Sequence, residues 1–354
     1  MSEEPQLRDA VQFQGRVEQW RVESEVLAGN RAGDPHVREL NVWSPPGCAR
    51  DESLPTVFLL CGFTGRPQAM LETHPWRRGV VCEYERGVCA GELPPVRLVL
   101  PDCWTHLGGS QYVDSSYLGN YEQHVARELT SFVAERYAVA GQAFGAVGKS
   151  SGGFGSLRLG ARHPERFRAV GSISGDVGFE ACFGHELYAA LRGLVAHEMD
   201  PAHFLAAFAE DARLDGDGHA VLNVLAMSAC YSPAPDSKLG YELPLDLHTG
   251  ERIESVWQRW LAFDPLETVD EMAPGLAQLE LLHLECGLRD EFHLQWGLRR
   301  LVHELRARGV ACDHEEHPGG HRGIDHRWPP VLAKVAQALE AIPEGAPSLE
   351  EQPR

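Results

Sequence analysis

The chain reads as short apolar runs, each closed by Gly or Pro, separated by longer stretches of helical period. Val37 to Trp43 (VRELNVW) alternates along its length and stops at Pro45-Pro46. Thr56 to Leu60 (TVFLL), Val96 to Leu100 (VRLVL) and Phe167 to Ile173 (FRAVGSI) are apolar runs that end near Gly or Pro. Ala143 to Gly148 (AFGAVG) is small and apolar, and Leu279 to Glu285 (LELLHLE) ends at Cys286-Gly287. Val310 to Glu316 (VACDHEE) runs into Pro318-Gly319-Gly320. Continuous runs of this kind predict strands buried on both faces, as in a parallel sheet covered by helices.

Helices are expected between them. Tyr121, Val125, Leu129, Phe132, Val133 and Tyr137 lie at helical spacing on one face. Leu298, Leu301, Val302 and Leu305 form a second stripe, stopped at Gly309. Pro330 opens a last helix with Val331, Val335 and Leu339 inward, a position that suits proline. Strands alternating with helices of this length predict a doubly wound α/β fold with a mostly parallel sheet.

Three segments stand apart. Residues of about 179–260 break the rhythm, with helical patterns over His185–His197 and Pro201–Asp211 and then a loop rich in Pro, Asp and Gly from Ser232 to Gly250. They are expected as a helical and loop insertion over the active-site rim of a main domain spanning 51–342. Residues 1–50 are expected as added strands on or beside the sheet, since Gln12 to Ala28 alternates loosely, although a small separate β module is also open. Residues 343–354 are expected as a flexible tail.

Composition narrows the function. The 354 residues are 43% apolar, enough for a sizeable core. With 51 acidic and 32 basic residues the formal charge is −19. That disfavours nucleic acid and anionic membranes, which need clustered Lys and Arg. The expected partner is therefore a small molecule, with a homodimer left open. No apolar stretch is long enough to span a bilayer. The first residues, MSEEPQLRDA, have no basic and apolar leader pattern. Nine scattered cysteines without a C-x-x-C pair are expected to be reduced thiols. Together these features predict a cytoplasmic location.

Gly148-Lys149-Ser150-Ser151-Gly152 fits G-x-S-x-G, preceded by a small-residue strand and followed by a helical pattern. In this setting the Ser occupies a sharp strand-to-helix turn, and the glycines let strand and helix approach closely. Gly148-Lys149-Ser150 also ends a phosphate-binding loop pattern, but the first glycine of that pattern would stand at Ala143. A tight turn without chemistry is the plain alternative.

A nucleophilic serine needs a base, and the base an orienting acid, in the chain order Ser, acid, His for this turn. Asp290 follows the Leu279–Glu285 strand and is the expected acid, with Glu291 as fallback; a helix-capping role is its plain reading. His321 follows Pro318-Gly319-Gly320 and is the expected base. Cys312, His314, His317, His321 and His326 also resemble a metal-ligand cluster, though no closed ligand set emerges and no metal is expected. The amides of Phe63 and Ser151 are the expected oxyanion donors, Gly62 letting the backbone turn toward substrate. Gly62, Ser110, Gln111, Tyr112 and Lys149 are expected to contact substrate. Trp257, Trp260, Tyr231 and Tyr241 are aromatics for the wall of a pocket or the core of the insertion.

The stretches PDCWTHLGGSQYVDSSYLGNY (101–121), VGKSSGGFGSLRLGARHPERF (147–167), SISGDVGFE (172–180), CGLRDEFHL (286–294) and HPGGH (317–321) carry a family resemblance. The chain resembles esterases of the α/β-hydrolase fold, in the enterochelin-esterase-like branch, related to S-formylglutathione hydrolases (esterase D) and mycolyltransferases. The resemblance implies Ser150 as nucleophile, Asp290 as acid and His321 as base, and no organic cofactor. It departs at Cys61-Gly62, where many relatives have His-Gly. The implied activity is hydrolysis of a carboxylic ester or thioester through an acyl-enzyme. The alternatives are acyl transfer by the same triad and a non-catalytic binding protein on a hydrolase scaffold.

Overall fold

The computed structural model describes residues 13–74, 77–214 and 216–343. The expectations for residues 1–12 and for the tail beyond 343 fall outside it. Eight strands form one sheet: β1 (Arg16–Glu23), β2 (Val37–Ser44), β3 (Leu54–Leu60), β4 (Arg97–Pro101), β5 (Val139–Lys149), β6 (Phe167–Ile173), β7 (Leu281–Gly287) and β8 (Asp313–His317). Their spatial order is β1-β2-β4-β3-β5-β6-β7-β8. β1 pairs antiparallel with β2, and β2 with β4; every later pairing is parallel. The apolar runs of β3 to β6 form the centre, where burial on both faces explains their lack of alternation.

Helices cover both faces. On one, Val80–Cys89 and Trp328–Glu340 enclose a core with Val57, Leu59, Leu98, Val147 and Ile173. Trp328, Val331, Leu332, Val335 and Leu339 form its inward stripe, so this helix starts two residues before Pro330. The small residues of β5 and β6 have a specific use here. A Cβ on Gly145 would lie 2.5 Å from Val335, and one on Gly171 would lie 2.4 Å from Val331. The other face carries Ser151–Arg162, Leu294–Ala307 and the helical run 121–134. That run is not uniform: His124–Leu129 is a π turn. Within it the Glu128 carboxylate takes the His124 ring at 2.6 Å, the Ser24 hydroxyl at 2.6 Å and the amides of Glu25 and Val26. The described N-terminal residues are thus tied to the main sheet and its helices, and β1 and β2 continue the sheet itself.

The segment between β6 and β7 holds the helices Phe179–Cys182, Gly184–Leu194, Pro201–Glu210, Gly218–Tyr231, Glu254–Leu261 and Val269–Leu276. Helical structure therefore continues past residue 260, and Val269–Leu276 packs against Ser151–Arg162. Gly218–Tyr231 has no counterpart in the sequence reading. Every residue from Ala220 to Tyr231 is buried, so the helix is covered all round and shows no polar face to give it a period. Trp257, Trp260 and Tyr231 are fully buried in the core of this segment.

An ion cluster centred on the buried Glu122 joins the helix Ser151–Arg162 to the neighbouring layer. Glu122 accepts from Arg158 at 2.6 Å, Arg162 at 2.6 Å and His163 at 3.1 Å. Burial alone would raise the pKa of its carboxyl, but His163, Arg158 and Arg162 outweigh this and hold it at about 2. The folded value lies below the ordinary 4.5, so this group stabilises the fold above that pH and loses its effect as pH falls toward 2. We expect Glu122→Gln to cost about 2–4 kcal/mol at neutral pH, because it leaves cations without their partner. Urea unfolding across pH should show the difference from wild type largest between about pH 5 and 6.5, shrinking below as Glu122 takes up a proton and shrinking in part above as His163, whose pKa Glu122 raises, loses its own.

Candidate active site

Strand β5 ends at Lys149, and Ser150 turns the chain into the helix Ser151–Arg162. Ser150 has φ 58° and ψ −127°, a conformation that non-glycine residues seldom adopt and that persists only where surroundings enforce it. The surroundings are visible. A Cβ on Gly148 would sit 2.0 Å from the Gly152 carbonyl oxygen, and one on Gly152 would sit 2.0 Å from that of Leu60. The Ser150 amide donates to the Ile173 carbonyl at 3.0 Å. The turn is held by backbone against backbone, and its side chain is thrown out over the sheet edge.

His321 and Asp290 meet it there. His321 Nε2 lies 3.0 Å from Ser150 Oγ, and His321 Nδ1 lies 2.9 Å from Asp290 Oδ2. The Asp290 side chain is fully buried, and its Oδ1 accepts the Phe292 amide at 2.9 Å. The ring of Phe292 stands edge-on to the imidazole with centroids 4.7 Å apart. The carboxylate of Glu291 takes a different part of the same loop, accepting the His321 main-chain N–H at 2.5 Å. That hydrogen bond is the main reason its carboxyl is held below the usual range. Neighbouring acids therefore have separate contacts: Asp290 holds the ring, Glu291 the backbone. Close packing of the two loops needs glycine, since a Cβ on Gly287 would lie 2.5 Å from the Gly319 oxygen.

The loop after β3 faces Ser150 from the other side. Gly62 lies against it, so that a Cβ there would stand 3.3 Å from Ser150 Cβ. The Gly65 amide closes the turn onto the Gly62 carbonyl at 2.9 Å. Among the described residues, the amides of Phe63 and Ser151 have no hydrogen-bond acceptor. Both residues border a cavity of about 340 Å³ whose wall includes Ser150 and His321. Gly62 and Lys149 also border it. Ser110, Gln111 and Tyr112 do not line this cavity; they lie behind the loop. The Tyr112 hydroxyl donates to the Cys61 carbonyl at 2.8 Å, and the Tyr112 amide donates to Ser110 Oγ at 3.3 Å. They brace the loop that carries Phe63.

The sequence reading missed the two buried polar residues Asp176 and Asn223 of the cavity wall. Asp176 follows β6, and Asn223 comes from the helix Gly218–Tyr231. The Asp176 carboxylate accepts the Ser151 hydroxyl at 3.2 Å and Gln111 Nε2 at 3.4 Å. Its burial, only partly offset by the nearby His321, pushes its pKa up to about 6. A carboxylate just beyond a strand's C-terminal end was the available signal for Asp176. For Asn223 there was none.

The histidine-rich stretch does not gather as the metal-cluster pattern would have it. Instead His283, Glu285 and Glu315 offer ligand atoms within 4.8 Å of one another. Arg327 already binds both oxygens of Glu285 at 2.9 and 2.7 Å, and Lys334 lies 3.5 Å from Glu315. This is an ion network on the far strands of the sheet. Among the described residues no helix is long and apolar enough to cross a membrane.

Fold and site define a carboxylic ester hydrolase of the α/β-hydrolase fold. The family described as "Putative esterase" matches residues 110–335, and the chain belongs to it. Among solved structures it is similar to a ferulic acid esterase (21% identity, TM-score 0.57, covering 94% of this chain and 100% of the other). It is also similar to an S-formylglutathione hydrolase from Agrobacterium tumefaciens (17% identity, TM-score 0.55, 93% and 97% covered). A third is fluorophosphonate-binding serine hydrolase F of Staphylococcus aureus (14% identity, TM-score 0.54, 92% and 98% covered). No curated protein matches the chain.

The glycines of the turn give a direct test. Gly148→Ala or Gly152→Ala puts a methyl about 2 Å from backbone oxygen. Either variant should lose about 3 kcal/mol or more of stability in urea unfolding. Gly184→Ala, where a Cβ would meet nothing within 4 Å and φ is not positive, is the control for methyl addition alone.

Proposed function

We propose that the protein is a serine esterase that cleaves its substrate through an acyl-enzyme. The observation that carries this is the unbroken hydrogen-bonded line Asp290–His321–Ser150 at the edge of the cavity. Ser150 Oγ attacks the acyl carbon, and His321 Nε2 takes its proton. The developing oxyanion is held by the Phe63 and Ser151 amides, whose lack of other acceptors leaves them free for it. His321 then gives the proton to the leaving alcohol or thiol. Water, deprotonated by the same imidazole, attacks the acyl-enzyme and releases the acid. Asp290 keeps Nδ1 protonated and stabilises the imidazolium formed at each step. Glu291 acts through the main chain, holding the loop that presents the ring.

Lys149 and Gly62 contact the substrate. Lys149 Nζ has its nearest carboxylate, Asp325 Oδ1, at 3.9 Å, while the stem is largely buried in the cavity wall. Burial lowers its pKa, partly countered by Asp325 and Asp290. Ser110, Gln111 and Tyr112 serve the site by fixing the oxyanion loop.

Mass analysis after treatment with a small fluorophosphonate tests this without a known substrate. One adduct is expected, on Ser150, and none in His321→Ala. With any ester that is turned over, Ser150→Ala should lower kcat by at least about 10³-fold. Asp290→Asn should cost about 10³–10⁴, as loss of the correct tautomer does elsewhere. Glu291→Gln, which removes a charge from a main-chain hydrogen bond, should cost about tenfold or less. An adduct on another residue, or more than a tenth of the activity in Ser150→Ala, sinks the proposal.

A further inference from the structure

We propose that the inner end of the cavity is an acyl-side subsite for a substituent that donates hydrogen bonds, either a hydroxyl or an ammonium group. The inference rests on the serine-esterase reading and specifies its substrate.

The cavity has two unlike ends. Arg66, Glu72, Arg322 and Asp325 are exposed and mark its mouth. Asp176, Cys182, Phe183 and Asn223 are buried and mark its inner end. The leaving group must depart to solvent while the acyl group stays on Ser150, so the closed end belongs to the acyl group.

That end holds acceptors without donors. Asp176 is 5% exposed and Asn223 6% exposed. Asp176 Oδ2 takes the Ser151 hydroxyl and the Gln111 amide, but among the described residues Oδ1 accepts nothing. Asn223 Nδ2 donates to Glu186, while its Oδ1 is buried without a partner. Behind Asp176, Gln111 Oε1 is likewise buried and unpartnered. Among the described residues no Lys or Arg forms an ion pair or hydrogen bond with Asp176, whose partners are the Ser151 hydroxyl and Gln111. Buried polar atoms are normally satisfied, and those that are not call for a ligand, water or function. At this end the unmet oxygens belong to Asp176 and Asn223 and are acceptors, with only the weakly donating Cys182 thiol beside them, so the complementary ligand is a donor. Asn223 Oδ1 and Gln111 Oε1 are already out of reach of water, and an apolar acyl chain would leave them unbonded. A site built to hydrogen-bond a substrate group rejects the analogue that lacks it much more strongly than an apolar pocket rejects an extra methylene.

The test uses three methyl esters of nearly equal size: butanoate, 3-hydroxybutanoate and 3-aminobutanoate. Hydrolysis by the full chain is followed by acid release at fixed pH. At least one of the hydroxy and amino esters should exceed butanoate in kcat/KM by about tenfold or more. Which one does so distinguishes hydroxyl from ammonium. In Asn223→Leu and Asp176→Asn the ratio of the favoured ester to butanoate should fall by about tenfold. The wild-type comparison stands even if a variant folds poorly. The subsite is overturned if butanoate matches or beats both polar esters. It is also overturned if the variants lower all three esters in the same proportion, which would leave Asp176 only as a support for Ser151. Failure of a fluorophosphonate to label Ser150 would overturn the esterase reading and this subsite together. Labelling without discrimination among the esters overturns the subsite alone.

Discussion

The site depends on one steric fact: at the end of β5, backbone touches backbone. Gly148 faces Gly152, and Gly152 faces Leu60, at distances that leave no room for a Cβ. This contact forces Ser150 into its positive-φ conformation and points the hydroxyl away from the sheet. The cost of holding one residue in such a state is about 1–3 kcal/mol, and it is met by the core on both faces of β3 and β5. A looser junction would let Ser150 relax, and the distance to His321 would no longer be set.

Everything else in the site is referred to that turn. The strands on either side are in parallel register, so their C-terminal ends open on one edge. Loops leaving β3, β6, β7 and β8 arrive at Ser150 because the sheet delivers them there. The β7 and β8 loops also grip each other. Asp290 and Glu291 hold different parts of His321, and the glycines at 287 and 320 bring the two loops into contact. The imidazole is placed by two acids, one on its ring and one on its main chain.

This explains what could be read from the sequence. Strand ends were legible because central strands are apolar without interruption and stop at Gly or Pro. Ser150, Asp290 and His321 each follow such a stop, so order along the chain carried spatial information. The helix Gly218–Tyr231 was not legible, since burial on all sides erases the amphipathic period. Asn223 was hidden with it. Ser110, Gln111 and Tyr112 were expected in the cavity wall because they follow the end of β4. The loop doubles back instead, and Tyr112 buries its ring against Gly155, where a Cβ would meet the ring at 2.4 Å. Sequence position gave the right edge of the sheet and not which side of the loop faces the substrate.

The long excursion between β6 and β7 contributes Asp176, Cys182, Phe183, His219 and Asn223 to the cavity wall, and none of the three hydrogen-bonded groups Ser150, His321 and Asp290. One part of the chamber's wall thus lies on a stretch of polypeptide that carries none of these three groups and that leaves and rejoins the sheet at two points of the chain. A lineage built this way can rewrite its menu of substrates by exchanging one contiguous cassette, with the reactive machinery left as it stands.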